Sequence, residues 1–259
     1  MNDSADLPPE PKKSIFKFSI AEVFVMITVI TLLVMLVLPI INSYLYRYDK
    51  GHLRIYSLNR LRNIGLAVVN YSASHDSNMP LDTTTDLQGK PLHGWMTTLI
   101  PFLDEIELAN QINYEKSWKD SENQTVFTTS LPFFLNPAIR DLSTNSEGYA
   151  LTHYTANSRV IGIQKSYSLD EISNADGMAT TILVGEINGN FPAWGSTSNF
   201  RDPVQGLKGG PEQFGSPFKA VNVIFADGSG KCLSKDIDPQ ILKALSTPDG
   251  GERVSRDDY

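Results

Sequence analysis

The hydrophobic and polar residues of this 259-residue chain are distributed very unevenly. Residues 23–41 contain no charged side chain and are almost entirely aliphatic, with the sequence VFVMITVITLLVMLVLPII. Because a helix rises about 1.5 Å per residue, a segment of this length just crosses the roughly 30 Å hydrocarbon core of a bilayer. The pattern predicts one membrane-spanning helix near the N-terminus, followed by a more polar body.

Three interpretations of this apolar segment compete. A cleaved secretory signal needs a shorter apolar stretch and small residues before the cleavage point, whereas this run ends in Leu38-Pro39-Ile40-Ile41 with no A-x-A-like site. A buried core helix needs protein on every side, which a body of this size rarely supplies to a helix that is apolar all round. A retained membrane anchor is therefore the favoured interpretation.

The charges that flank the segment predict its orientation. Lys12, Lys13 and Lys17 precede it closely, so the positive-inside rule keeps the N-terminus in the cytoplasm. Arg47 and Lys50 on the other side argue weakly against this orientation. With no second long apolar stretch, we expect a single-pass protein of the cytoplasmic (inner) membrane with its body in the periplasm.

The residues that follow the span continue with helical periodicity. Between 42 and 75 there is no proline, and apolar residues recur at helical spacing: Leu58, Leu61, Ile64, Val68 and Tyr71. The polar side of this predicted helix carries a basic stripe: Arg47, Lys50, Arg54, Arg60 and Arg62. We interpret the stripe as a solvated face, with contact to anionic lipid as the alternative.

The rest of the chain changes from helical to extended periodicity. A loop is predicted over 76–94, followed by a helix between Trp95 and Ala109, in which Pro101 is tolerated only as a kink or near the first turn. A short helix is predicted over 124–130. Runs rich in Val, Ile, Thr and aromatics then predict strands over 149–156, 159–163, 180–187 and 220–226. Asp227-Gly228 between two extended runs predicts a hairpin with a two-residue type I′ turn.

These elements define an α+β fold, in which an N-terminal transmembrane helix continues into a long amphipathic helix packed on a mainly antiparallel sheet. The predicted organisation is a cytoplasmic basic leader over 1–17, a transmembrane helix over 18–41, an extracytoplasmic helix extension over 42–75, and an α+β head domain over 76–259. A further short helix is predicted from Pro239 to Leu245.

Composition narrows the function classes. The chain has 22 Lys and Arg against 29 Asp and Glu, a formal net charge of -7, which disfavours a nucleic-acid partner. One cysteine cannot form an intramolecular disulfide, and the four histidines are far apart in sequence, which excludes a compact zinc motif. We expect no metal site and no cofactor.

The sequence offers little that supports catalysis. None of the motifs G-x-S-x-G, H-E-x-x-H, G-x-x-x-x-G-K-[ST] and G-x-G-x-x-G occurs, so the chain is predicted not to be an enzyme. Glu186, at the end of the predicted strand TTILVGE, is the best candidate for a buried carboxylate, with a structural role favoured over a catalytic one. Cys232 is interpreted as a small packed side chain rather than a nucleophile.

The start of the apolar segment resembles the processing region of type IV pilins and type II secretion pseudopilins. In those proteins a basic leader ends in Gly, Phe usually follows, and Glu is the fifth residue of the mature chain. Phe18 and Glu22 match in type and spacing, and Pro39 lies where many pilins carry a helix-kinking proline. Lys17 replaces the Gly, which predicts an anchor that is retained uncut.

A wider resemblance covers about Phe18 to Ser255. The chain is similar to a planctomycete prepilin-type family of unknown function with a C-terminal H-x9-DG tail, on the segments NRLRNIGLAVVNY, WMTTLIPFLDE, YTAN, DGMATTILVGE, FGS, VNVIFADGS and GGERVS. Pro217 stands where the histidine of the tail would precede Asp227, and Asn136 where many members carry a cysteine before a proline. The resemblance implies a divergent, membrane-tethered, pilin-like α+β protein and no known activity.

Two functions remain open at this point. The first is a membrane-anchored, pilin- or pseudopilin-like structural or interaction protein, with the lipid bilayer as a partner and with like subunits or secretion or pilus components as further partners through the N-terminal helix. The second is a membrane-tethered extracytoplasmic module that binds a solute or glycan, which requires a concave pocket in the head with converging polar groups.

Overall fold

A computed structural model describes residues 19–162, 166–252, 254–255 and 257–259; side chains of residues 42–49 lie outside this description. The chain divides into two compact units, one up to Asp49 and one from Lys50 to Tyr259. Lys17 and Phe18 of the predicted processing segment lie outside the described residues.

The first unit consists of the N-terminal part of helix α1 (Ile20–Ala73). Its first 22 residues, Ile20–Ile41, form the one helical stretch of the described chain that is long and apolar enough to cross a membrane, and its side chains are not buried. Pro39 lies inside the helix, where it withholds one backbone N–H from the hydrogen-bond ladder.

The start of α1 is fixed by a capping box. The Ser19 Oγ accepts a hydrogen bond from the Glu22 backbone N–H at 3.3 Å, and the Ser19 backbone N–H donates to Glu22 Oε2 at 2.8 Å. Two of the N–H groups that a helix start leaves unpaired are therefore satisfied by these two residues.

In the second unit, the C-terminal part of α1 buries one side against the rest of the fold. Leu61, Ile64 and Val68 on this side are fully buried. Gly65 lies on the same side, where an added Cβ would approach Ile224 Cγ2 to 2.5 Å. The glycine therefore permits close approach of the helix to the sheet.

The central sheet has five strands in the order β5-β3-β4-β6-β7. Their bounds are β3 Tyr154–Asn157, β4 Ile182–Glu186, β5 Phe200–Arg201, β6 Ala220–Phe225 and β7 Gly230–Ser234. Only the β3–β5 pair is parallel, so the sheet is mainly antiparallel. A separate antiparallel pair precedes it, β1 (Thr83–Thr85) and β2 (Pro91–Gly94).

The remaining helices are short. They are α2 Trp95–Leu99, α3 Ile106–Ala109, α4 Gln124–Phe127, α5 Leu169–Asn174 and α6 Pro239–Ser246, with 3₁₀ turns at Ile100–Phe102, Pro132–Phe134 and Pro203–Gln205. The predicted helix from Trp95 to Ala109 is wrong as one element. Pro101 is the second residue of the 3₁₀ turn that follows α2, and Asp104 then adopts a left-handed backbone conformation that stops helix propagation.

The sheet separates two hydrophobic clusters. Along β6, Val221, Val223 and Phe225 belong to the cluster shared with α6, whereas Ile224 belongs to the cluster shared with α1. This alternation is the period-2 pattern of a strand buried on both faces. The α+β class and the helix-on-sheet architecture predicted from the sequence are thus confirmed.

The hairpin of β6 and β7 is present, but its turn differs from the predicted type I′. The Gly228 N–H donates to the Phe225 carbonyl at 2.9 Å, and Gly228 has φ +78° while Asp227 does not have positive φ. The loop is therefore a type I turn followed by a left-handed glycine, the usual three-residue hairpin connection. Asp227 contributes by accepting the Ser229 N–H at 2.8 Å.

Candidate functional site

Glu186 is the centre of a buried polar cluster between α1 and the sheet. It is the last residue of β4, and its side chain is fully buried. Val184 and Glu186 are two residues apart in the strand, so both point to the same face, toward α1. Glu186 contacts α1 at Ser57, one turn before Leu61, where the apolar side of the helix begins. The Ser57 hydroxyl of α1 donates directly to Glu186 Oε1.

Asparagines supply most of the other donors to this carboxylate. Asn136 Nδ2 donates to Oε1 at 3.0 Å, and Asn222 Nδ2 donates to the same oxygen at 2.9 Å. The Asn222 backbone N–H donates to Oε2 at 3.0 Å. Glu186 is thus a buried, hydrogen-bonded carboxylate, and its described partners are hydroxyl and amide groups rather than an arginine.

A tyrosine connects the helix to the loop before β3. Tyr154 Oη lies 3.0 Å from Ser57 Oγ and donates to the Leu135 carbonyl at 3.2 Å. Arg60 of α1 donates to the same carbonyl at 2.8 Å. The helix, β3 and the 135–136 loop therefore meet at one set of hydrogen bonds next to Glu186.

His153 extends the cluster on the far side of Asn136. Its Nδ1 accepts the Asn136 backbone N–H at 2.9 Å, and its Nε2 lies 2.8 Å from the Leu142 carbonyl. A carbonyl only accepts, so the proton of the neutral ring is on Nε2 and both nitrogens are satisfied. Phe191 packs against the ring at 4.3 Å between centroids.

Cys232 belongs to the same cluster through a strand neighbour. It pairs directly with Asn222 across β6 and β7, and its thiol donates to Asn222 Oδ1 at 2.8 Å. Asn222 Nδ2 also donates to the Arg54 carbonyl of α1 at 3.1 Å. Asn222 therefore joins the helix backbone, the carboxylate and the thiol.

Burial determines the protonation behaviour of the cluster. Loss of solvent raises the pKa of Glu186, an effect opposed by hydrogen bonds from Ser216, Ser57 and Asn222. Burial lowers the pKa of His153 and raises the pKa of the Cys232 thiol. The ring is thus held neutral and the thiol protonated, which are the forms that the observed hydrogen bonds require.

This arrangement favours a structural role over chemistry. The Cys232 thiol is not activated, since a nucleophilic cysteine needs a lowered pKa. Both nitrogens of His153 are engaged by backbone groups, so the ring has no position left for a substrate proton. Among the described residues, no three His, Cys, Asp or Glu side chains are grouped to hold a metal ion.

The other residues singled out from the sequence are dispersed. Glu22 and Pro39 lie in the apolar part of α1, remote in the chain from Glu186, and Glu22 caps the helix. Asp227 and Gly228 form the β6–β7 turn. Pro217, at the place of the family histidine, is half-buried beside Ser216, which bonds to Glu186.

Sequence reasoning found Glu186 but not most of its partners. Ser57 precedes Leu61 by four residues and therefore extends the buried side of α1, a signal that was available in the helical spacing. Asn136 lies in a loop, and nothing in the local sequence indicates that it meets a residue fifty positions later.

The fold and this cluster define an α+β head on an N-terminal apolar helix, with a buried carboxylate fastening the long helix to the sheet. The chain belongs to the family described as "Protein of unknown function (DUF1559)", which matches residues 54–216. This range includes Glu186, Asn136 and His153 but neither the apolar segment nor the Asp227-Gly228 turn. No curated protein and no solved structure matches the chain.

Proposed function

We propose that this protein is a single-pass, membrane-anchored, pilin-like structural or interaction protein that presents its head outside the cytoplasmic membrane. The observation that carries the proposal is the apolar stretch Ile20–Ile41, whose side chains are exposed. The second unit buries its own two hydrophobic clusters without it. An apolar surface this large is stable in a bilayer and costly in water.

The Glu186 cluster supports a non-enzymatic role for the head. Its donors come from α1, the 136 loop and β6, so the carboxylate fixes the C-terminal part of α1 on the sheet. Firm attachment of the C-terminal part of α1 to the sheet suits a protein whose N-terminal segment is held in a membrane or packed against like subunits. Secretion or pilus components are the further partners that the pilin-like N-terminus suggests.

An experiment can distinguish a retained membrane anchor from a cleaved signal sequence, since the apolar helix is compatible with both. We expect the full chain to sediment with membranes, to resist alkaline carbonate, and to retain residues 1–41. Two arginines in the span, from Leu32→Arg with Leu36→Arg, should release it, since each costs about 2.5–3.5 kcal/mol at the centre of a membrane helix.

The matched control is Leu87→Arg, because Leu87 is fully exposed in the head. This variant should remain with the membrane. A mature protein that begins after residue 41 and fractionates as soluble would contradict the anchor and support a signal sequence. Crosslinking through residues 23–60 should give ladders if the helix assembles with like subunits, and monomers if it does not.

A second function, an extracytoplasmic binding module, is supported by a different observation. The head has an open cavity of about 400 Å³ beside the C-terminal end of α1, lined by apolar and polar side chains. This volume falls in the range of small-molecule sites. Binding of a soluble ligand by the membrane-inserted protein would favour the module, and binding of none would favour the purely structural role.

A further inference from the structure

The cavity beside the C-terminal end of α1 is separate from the Glu186 cluster and shares no residue with it. Its lining combines apolar and polar side chains, including Tyr71, His75, Asp76, Asn78 and Leu81. Leu81 is 56% exposed although it is a large aliphatic residue, so the cavity presents apolar surface to solvent. This combination is typical of a ligand site.

One wall of the cavity is aromatic. The rings of Tyr71 and His75 are stacked, with centroids 3.8 Å apart and planes 8° apart. Phe102 packs edge-on against Tyr71 at 5.7 Å and supports the pair from the side. Because stacking covers one face of each ring, the pair offers ring edges and an outer face, which are rigid surfaces for apolar C–H groups.

The polar groups of the cavity are mostly unused acceptors. His75 Nδ1 lies 2.8 Å from the Tyr71 carbonyl and 2.9 Å from Ser74 Oγ; the carbonyl only accepts, so Nδ1 carries a proton, and in that tautomer Nε2 is an acceptor. In the described chain, no protein hydrogen bond engages His75 Nε2, the Asp76 carboxylate or the Tyr71 hydroxyl, and His75 and Asp76 are exposed to water. A ligand with several donors can replace the water at these groups.

The backbone holds Asp76 in place at this cavity. Asp76 and Ser77 both adopt left-handed conformations, with φ of +52° and +62°. Two successive non-glycine residues in this region are uncommon and cost free energy. The conformation is secured by the Ser77 N–H, which donates to the Ser72 carbonyl at 3.0 Å.

A second cavity, between residues 204–213 and the start of α6, has a similar volume of about 400 Å³ but offers less. Lys208 is paired with Asp236 at 2.9 Å, and Lys235 donates to the Ser216 carbonyl at 2.7 Å. Its charged groups already have partners, so the cavity at Asp76 is the stronger candidate.

We propose that the cavity formed by Tyr71, His75 and Asp76 binds a neutral carbohydrate. The apolar face of a sugar ring packs on the stacked rings, and two of its hydroxyls donate to the Asp76 carboxylate and to His75 Nε2. An anionic ligand is disfavoured by the carboxylate, and a purely apolar one would leave the acceptors unpaired. This inference rests on the second of the two functions above, the binding module.

The test measures sugar binding to the full chain in lipid nanodiscs, which avoids glycosidic detergents. The probes are cellotetraose, chitotetraose and mannotetraose, titrated by calorimetry against wild type and Asp76→Gly. Glycine fits the left-handed backbone at this position, so the variant should fold. Loss of hydrogen bonds to a charged acceptor should weaken binding by at least about tenfold.

Asp141→Gly is the matched control, because Asp141 is also exposed, has φ +60° and lies outside the cavity lining. It should bind as wild type does. The inference is overturned if none of the three probes binds or if Asp76→Gly binds them unchanged. Tetramethylammonium tests for a cation site, and its binding in place of the sugars would also overturn the inference. Unchanged binding in Asp76→Gly would move the site elsewhere in the head without removing the binding function.

Discussion

Removing the Glu186 carboxylate should destabilise the head strongly. In the Glu186→Ala variant, three buried donors lose their acceptor: the backbone N–H of Asn222, one amide N–H of Asn136 and the hydroxyl of Ser216. Each buried donor left without a partner costs about 1–3 kcal/mol. Ser57 retains its contact with Tyr154, so its hydroxyl is not left unpaired.

Removing the buried negative charge of Glu186 has the opposite effect on the free energy of unfolding. Because the folded pKa of Glu186 is raised, its contribution to stability is fully present below the unfolded pKa and is lost as the pH rises through the folded value. At neutral pH, removal of the carboxylate therefore recovers part of the cost. We expect a net loss of about 2–4 kcal/mol, which this recovery keeps below the sum for three unpaired buried donors at about 1–3 kcal/mol each.

Tryptophan fluorescence during heating gives a direct assay, because Trp95, Trp118 and Trp194 all lie in the cluster next to α1. For a unit of this size each kcal/mol lowers Tm by about 2–4 °C, so Glu186→Ala should lose roughly 4–16 °C. The control Glu115→Ala removes an exposed carboxylate and should change stability by less than about 0.5 kcal/mol. Equal Tm values for Glu186→Ala and wild type would refute the role assigned to the cluster.

Two other substitutions test the packing of α1 and the pH response of the cluster. Gly65→Ala should destabilise the head by about 1–3 kcal/mol, because its Cβ would overlap Ile224. Gly51→Ala in the same helix meets no atom within 4 Å and should stabilise the protein by about 0.5–1 kcal/mol. Thermal unfolding of both variants checks this, and a change of the same sign in both would contradict it. Folding lowers the pKa of His153, so its contribution to stability is present above the ordinary pKa of 6.5 and is lost as the pH falls below that value. In urea titrations across this range, the free energy of unfolding should fall more steeply with falling pH for wild type than for His153→Gln. Parallel curves would contradict the assignment.

Local patterns in the sequence predicted the parts of the fold that depend on short-range periodicity. The apolar span, the helical spacing of Leu61, Ile64 and Val68, and the β6–β7 hairpin all follow from residues close together in the chain. The turn type was wrong because Asp227-Gly228 is compatible with two hairpin geometries, and the choice depends on where the strand pairing ends.

The candidate site was only partly predictable, since its partners are distant in sequence. Glu186 stood out as a charged residue at the end of an apolar strand. Asn136 and Asn222 did not stand out, because nothing in the sequence near either asparagine indicates that both donate to the Glu186 carboxylate. The break in the Trp95–Ala109 segment shows the same limit, where the backbone at Asp104 overrides an apolar spacing suited to a helix.

The most direct test of the anchored, outward-facing head is labelling of single introduced cysteines with a membrane-impermeant maleimide in intact spheroplasts. In a Cys232→Ser background, the Leu87→Cys variant should be labelled without permeabilisation, because Leu87 is fully exposed in the head. The Ser14→Cys variant, on the lysine-rich side of the span, should be labelled only after permeabilisation. The reverse pattern would place the head in the cytoplasm and contradict the account.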